Sequence, residues 1–324
     1  GSTILGHIIE SLKSLNPSEF IFITGYQKNK VESYIKTSFS DIKSSFVNQD
    51  DPQGLGEAIH LSSTYFQDED VLIVLGDTLF EADLKSICSK GQNILCTRKV
   101  EDPRRFGVAV LDENQKITKL VEKPEEFISD QALVGIYYIQ DSANLKSCLD
   151  TLIKNDQRTR GEYQLTDALA MMMENGSDFY SAEIQEWLDC GKPETLVATN
   201  SHVLKSNNQK KSELDDSVKI IEPVFIDQNV SISNSTIGPN VTLFSGAKIS
   251  DSKLENGIVD KNSEIKGSEL IDFIVGKYCK VHQTKSTLSI GDHSTVVLLT
   301  SKLILASGSP RRKEIFHKFK LNLK

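Results

Sequence analysis

At 324 residues the chain is long enough for two or three folding units. Its 38% hydrophobic and 25% charged residues describe a globular protein, and 45 Asp+Glu against 37 Lys+Arg give a net charge of -8, which argues against a general binder of nucleic acid or anionic membrane. The longest apolar runs, such as Val71 to Leu75, fall far short of the ~20 residues of a membrane-spanning helix, no basic-then-apolar leader opens the chain, and five scattered cysteines (Cys88, Cys96, Cys148, Cys190, Cys279) never form a CxxC pair, the pattern of a reduced cytoplasm.

In chain order, apolar residues at 4, 5, 8, 9, 12 and 15 predict a helix over Ile4 to Leu15. Phe20 to Thr24 and Val71 to Leu75 read as buried strands, each ending at a glycine, with helical spacing over Gly54 to Phe66 between them. A further helix is expected over Thr78 to Cys88, another over Leu165 to Glu174, and one from Pro193. Strands alternating with helices predict a layered α/β domain with a mainly parallel sheet, whose ligands sit beyond the carboxyl ends of the strands. A polar stretch, Ser206 to Ser217, reads as a linker. Beyond it Ile226, Ile232, Ile237, Leu243 and Ile249 recur at steps of six, five, six and six. That period is too short for helical repeats and suits a solenoid of short strands and turns. It drifts after Leu254 and returns at Ile290 to Thr295. The last segment, Ser301 to Lys324, carries seven basic residues against the single acid Glu314, an abrupt step at a sequence end.

The groups that could carry chemistry lie in the loops. Asp77 follows an apolar strand and a glycine, which puts a carboxylate at the strand's carboxyl end; an Asp capping the next helix fits as well. Asp189 sits in Trp187-Leu-Asp-Cys-Gly-Lys-Pro-Glu194, where an ordinary turn before a helix is the plainer reading. Two carboxylates from separate loops are nonetheless what Mg²⁺ needs when phosphates and waters supply its other oxygens. In Lys119-Leu-Val-Glu-Lys-Pro124 a proline holds the preceding chain extended, so that Glu122 can meet hydroxyls and Lys123 a phosphate, or both can be a solvated pair on an edge strand. Arg160 to Asp167 is dense in polar groups just before a helix, which Thr166 or Asp167 can cap. Gln49 and Gly54, flanking Pro52, can present an amide and bare backbone to a base, or form a plain turn. Six histidines without metal-ligand spacing, and the absence of GxSxG, weaken zinc-enzyme and hydrolase readings.

The order of these segments is more specific than any one of them. Gln49…Pro52-Gln-Gly-Leu-Gly-Glu-Ala58, Leu75-Gly-Asp77, Phe106-Gly-Val108, Val121-Glu-Lys-Pro124, Gly135-Ile-Tyr137, Gly161 to Asp167 and Trp187-Leu-Asp-Cys-Gly191 occur in series. The series resembles the sugar-phosphate nucleotidyltransferases of the glucose-1-phosphate thymidylyltransferase type over about residues 1–204. The zone at 219–300 is similar to the hexapeptide-repeat, left-handed parallel β-helix that often follows such a domain.

The resemblance implies attack of a sugar 1-phosphate oxygen on the α-phosphorus of a nucleoside triphosphate, giving an NDP-sugar and pyrophosphate, with positioning and charge neutralisation as the protein's part. It implies that Asp77 and Asp189 hold Mg²⁺ and Lys123 binds the sugar phosphate. Gly107, Glu122, Gly135 and Glu162 would then line the sugar site, and Gln49 and Gly54 would face the nucleobase. It also implies a Rossmann-like sheet lacking its first strand and the glycine-rich, arginine-bearing loop after it, with loss of activity as the expectation for these 324 residues. Lys302 to Ile315 resembles the opening of Maf-like nucleoside triphosphate pyrophosphatases, so 301–324 is expected to be a fragment of that kind or a tail, with 205–218 as the linker. Two other readings stand beside this one: a non-catalytic NDP-sugar-binding homologue, and a hexapeptide acyltransferase using His282 or His293. Hexapeptide solenoids commonly pack together, which makes a homo-oligomer compatible with the sequence.

Overall fold

A computed structural model describes residues 3–206, 215–299 and 302–306; side chains of Asp189, Ser206, Leu298, Leu299 and 302–306 lie outside that description. The chain divides into two units, Ile4–Trp187 and the part from Leu188 onward.

The first unit opens with α1 (Ile4–Lys13), β1 (Phe20–Thr24), α2 (Lys28–Ser38), β2 (Ser44–Asn48), α3 (Leu55–Ser62) and β3 (Val71–Val74). It continues with β4 (Thr78–Glu81), α4 (Leu84–Cys88), β5 (Asn93–Lys99), β6 (Gly107–Leu111), β7 (Ile117–Glu122) and β8 (Gln131–Ile139). Then come α5 (Ser142–Lys154), α6 (Leu165–Glu174), β9 (Phe179–Glu183) and β10 (Glu186–Asp189), in whose middle the unit ends.

The expected α/β architecture is present, but its main sheet is mixed. Strands run in the order β7-β6-β8-β5-β9, with β3 also paired to β8. β8 is antiparallel to β3, β5 and β6, and only β5 and β9 pair in parallel. β8 is buried along its whole length. Leu133, Tyr137 and Ile139 face a core built with α3, α5 and α6, while Val134, Ile136 and Tyr138 face a second core with Leu84, Ile87 and Ile184. A strand covered on both faces loses its alternating polarity, so sequence pattern could not reveal its direction.

β1 and β2 form a separate parallel pair, covered by Ile9, Ile35 and Phe39 of the flanking helical segments. Among the described residues β3 has no strand partner besides β8. The helix expected over Thr78 to Cys88 is corrected: its first four residues are β4, paired with β10, and only Leu84–Cys88 is helical. Asp83, whose carboxylate accepts from the Ser86 N–H at 3.0 Å, starts that helix, so Asp77 is not a helix cap.

The second unit holds α7 (Pro193–Ser206) and a parallel β-solenoid. One solenoid face stacks five parallel strands, beginning at Ser231, Lys248, Glu264, Lys280 and Thr295. Successive coils therefore take 17, 16, 16 and 15 residues. Three strict six-residue sides would need 18, and this shortening is the physical source of the period drift after Leu254. The interior is a column of aliphatic side chains, including Ile249, Ile265, Val281 and Val296. One corner carries a ladder in which the hydroxyls of Ser235, Ser252 and Ser268 accept from the backbone N–H of Ser252, Ser268 and Thr284 at 3.0, 3.1 and 3.1 Å, satisfying groups that burial would otherwise leave unpaired.

α7 docks on this solenoid through Asn200, which donates to the Asn240 carbonyl (3.2 Å) and accepts from the Thr242 hydroxyl (2.6 Å). The expected linker falls largely on 207–214, outside the described residues. Of the segment 301–324, expected to be a Maf-like fragment or a tail, only the backbone of Lys302–Ala306 is described, as a strand antiparallel to Thr295–Leu299; 307–324 lie outside the described residues. No described helix is long and apolar enough to cross a membrane.

Ile265 is fully buried in the middle coil. Ile265→Ala should cost ~2–5 kcal/mol, read as a lower urea midpoint for loss of solenoid β-signal.

Candidate active site

The loop after β2 and the segment before α6 are tied together by backbone. The Gly56 N–H donates to the Tyr163 carbonyl at 2.7 Å and the Tyr163 N–H donates to the Gln53 carbonyl at 2.8 Å. Gly54 lies between these bonds at φ 121°, and a Cβ there would stand 2.4 Å from the Tyr163 oxygen and 3.0 Å from the Glu162 Cβ. Only glycine tolerates both the angle and the approach. Gln49 and Glu162, far apart in sequence, are thus anchored by adjoining backbone.

The ties continue through side chains. Arg158 stacks over the Tyr163 ring, 3.9 Å from its centroid, and donates to the Gln53 side-chain oxygen at 2.7 Å. Asp156 accepts from the Tyr163 hydroxyl at 2.5 Å and from Arg158 at 2.7 Å. These bonds hold the Asp156 carboxyl below its usual range, Tyr163 first and Arg158 second. Tyr163 stood in the polar run noted before α6, but Arg158 and Asp156 did not stand out in the sequence, because what marks them is contact with Tyr163 and, for Arg158, with a loop a hundred residues away.

Lys123 and Glu122 sit at the end of edge strand β7. The Glu122 side chain is only 9% exposed; its Oε2 accepts from the Thr166 hydroxyl at 2.7 Å and its Oε1 lies 3.4 Å from the Lys123 ammonium. Glu122 is therefore no solvated surface charge. It also adds, after burial, to the upward push on the Tyr137 hydroxyl pKa. Gly107 opposes this pair: a Cβ there would come within 2.9 Å of Glu122 Oε2 and 3.0 Å of Thr166 Oγ1, so its bareness leaves room for the carboxylate.

The expectation of extended chain at Lys123 is corrected, since its φ is 43°. Its N–H donates to the Phe106 carbonyl (3.0 Å) and its carbonyl accepts from Arg160 Nη2 (2.7 Å), and these bonds hold the residue in a conformation that proline at the next position disfavours. Arg160 thereby becomes a second cation beside Lys123, and Thr166 acts on Glu122 rather than only heading a helix. The spacing of the motif contained both residues but not their partners.

Gly135, at φ 83°, faces Leu75, whose Cγ a Cβ would meet at 2.7 Å, and its carbonyl accepts from the Leu75 N–H at 2.9 Å. This pins the turn carrying Asp77, which is exposed and whose carboxylate accepts from the Thr78 hydroxyl at 3.4 Å. Asp189 ends β10, and its side chain lies outside the described residues. Glu162 is exposed and accepts from Gln164 Nε2 at 3.0 Å.

Beyond the ends of β1 and β2 opens a cleft of ≈ 800 Å³, lined by Gly25 to Lys30, Asn48 to Asp50 and Pro52. Gln49 lines it; Gly54 and the Glu122 cluster do not. Parallel strands ending at a ligand-sized opening match the general rule for α/β sheets. In the solenoid, His282 pairs with Glu264 (2.9 Å) and the His293 ring stacks on Tyr278.

Thr166→Val keeps the shape but leaves a buried carboxylate oxygen without its donor. It should lower stability by ~1–3 kcal/mol, read as a lower midpoint in urea unfolding.

Residues 1–206 match the family model for nucleotidyl transferases. The bifunctional protein GlmU of Methanococcus maripaludis is 32% identical over 93% of this chain and 77% of its own length. A glucose-1-phosphate thymidylyltransferase of Streptomyces antibioticus is 28% identical over 78% of each chain. A solved structure described as a glucose-1-phosphate thymidylyltransferase from Bacillus anthracis superposes with a TM-score of 0.53 at 26% identity, covering 64% of this chain and 85% of that one. The family model spans the residues that include Gln49, Asp77, Glu122 and Glu162, and the chain belongs to the nucleotidyl transferase family.

Proposed function

We propose that this protein transfers a nucleotidyl group from a nucleoside triphosphate to a sugar 1-phosphate, releasing pyrophosphate and forming an NDP-sugar. The observation that carries the reading is the fusion of two half-sites by backbone. A base-facing loop at 49–56 and a sugar-facing segment at 160–166 are bonded to each other through Tyr163, and the latter is bonded to Glu122 and Lys123. Two substrates that must meet in line are served by loops that cannot drift apart.

Within that frame Lys123 and Arg160 neutralise the phosphate of the sugar 1-phosphate. Glu122, fixed by Thr166, accepts a sugar hydroxyl, while the bare face of Gly107 admits the ring. Gly135 holds the Asp77 turn in place, and Glu162 closes the sugar side. Gln49 and Gly54 take the base. Asp77 is exposed, bears no cation partner among the described residues and keeps its oxygens available, which suits a ligand of Mg²⁺, with Asp189 as the second carboxylate. The described residues hold no cluster of three or more ligating side chains, so such an ion would draw the rest of its oxygens from phosphates and water, the habit of Mg²⁺. When bound, the ion would neutralise charge on the phosphates. Five cysteines without a disulfide support a reducing compartment such as the cytoplasm.

The test is pyrophosphate release from a panel of sugar 1-phosphates with each nucleoside triphosphate, alongside calorimetric binding of both substrates. Lys123→Ala and Arg160→Ala should each raise the KM or Kd for sugar phosphate about tenfold or more, the worth of a charge-assisted contact, while changing that for nucleotide far less. Asp77→Asn should lower the Mg²⁺-dependent rate, or Mg²⁺-dependent nucleotide binding, by a similar factor. Absence of both binding and turnover overturns the reading.

A further inference from the structure

The side-chain amide of Gln49 is held from one side. Its Nε2 donates to Glu57 Oε2 at 2.5 Å and, more loosely, to the Gly54 carbonyl at 3.4 Å. Both partners are acceptors, so only the NH₂ end can face them and the amide has one chemically sensible orientation. Its backbone is fixed as well, the N–H donating to the Thr24 carbonyl at 2.8 Å. Gln49 Oε1 then remains as the polar end of a residue that lines the cleft, with no protein donor among the described residues. Glu57 stands in the first turn of α3, partly buried, with no Lys or Arg partner among the described residues to draw its carboxylate away.

We propose that Glu57 is a positioning residue that sets the choice of nucleobase: by holding the NH₂ of Gln49 it presents only a carbonyl, an obligate acceptor, to the base. This rests on the nucleotide reading of the cleft. A keto pyrimidine, uracil or thymine, offers its ring N3–H to that oxygen. Cytosine, of the same size, offers a lone pair at N3 and sets acceptor against acceptor. An untethered glutamine would turn over and serve either ring, so discrimination comes from the carboxylate behind it, which opposes the wrong partner as much as it favours the right one.

The experiment is calorimetric titration of the full chain with UTP and CTP at fixed Mg²⁺. Wild type should bind UTP about tenfold or more tightly than CTP, the usual worth of an unmatched polar contact. In Glu57→Gln the new amide can either donate or accept, Gln49 is released, and the UTP/CTP ratio should fall to within about threefold, mainly through tighter CTP binding, while the melting temperature is retained. Glu57→Ala, which also frees the NH₂, is measured in parallel so that a folding defect in one variant does not decide the matter. A ratio that persists in the folded variants, or a wild type that binds both nucleotides equally, overturns the proposal while leaving the nucleotidyltransferase reading intact. If wild type binds neither nucleotide, that reading fails and the proposal with it.

Discussion

Gly54 pressed against the backbone of Tyr163 is the contact on which the site depends. The two hydrogen bonds flanking it, Gly56 N–H to Tyr163 and Tyr163 N–H to Gln53, join segments more than a hundred residues apart. Loop closure over such a span is entropically unfavourable, so the link has to be reinforced. Arg158, Asp156 and the Tyr163 ring supply that reinforcement on the outer side, and α3 packed against α5 and α6 supplies it within. A side chain at 54 would separate the segments, since its Cβ would lie 2.4 Å from a carbonyl oxygen.

The same economy of backbone appears at Gly107 and Gly135. Each stands where a Cβ would meet the Glu122 carboxylate or the turn bearing Asp77. These three glycines do different work: Gly54 permits a close approach at positive φ, Gly107 keeps space beside Glu122, and Gly135 receives Leu75 at positive φ. Polar residues then take their orientation from neighbours. Thr166 aims Glu122, Arg160 fixes the carbonyl of Lys123, and Glu57 turns Gln49. In each case the group that the proposed function turns toward substrate has little freedom left, which is what pre-organisation of a transfer site requires.

Much of this was legible in the sequence where local pattern decides structure. The helix at Ile4–Lys13, the strands at Phe20–Thr24 and Val71–Val74 and the onset of the solenoid follow from apolar spacing alone. Legibility failed where long-range pairing wins. Thr78–Glu81 is a strand because β10 pairs with it, and no property of those four residues announces that. β8 reads as an apolar run whichever way it points. The drift of the solenoid period comes from coils that shorten from 17 to 15 residues, so a search for strict sixes loses the register although the buried column continues. At the site, the motifs named Glu122 and Gln49 but not Thr166 and Glu57 as their partners, because a hydrogen bond across 44 residues leaves no periodic trace.

Charge presents the remaining constraint. A chain of net charge -8 repels polyanions on average, yet the proposed substrates carry several phosphates. The cations must therefore be concentrated where the loops converge. Lys28 and Lys30 line the cleft and bear no carboxylate partner among the described residues, and Arg160 is tied to a carbonyl rather than to an acid. Some other basic residues are paired with acids: Lys13 with Asp41, Lys43 with Glu19, Lys116 with Asp178 and Lys285 with Glu269. On the proposed reading, Lys28 and Lys30 at the cleft draw phosphates toward loops that can orient them, while the net negative charge of the chain discourages indiscriminate anion binding. Global charge and local site thus act in opposite directions, and on the proposed reading the preference of the cleft for phosphorylated ligands follows from the difference between them.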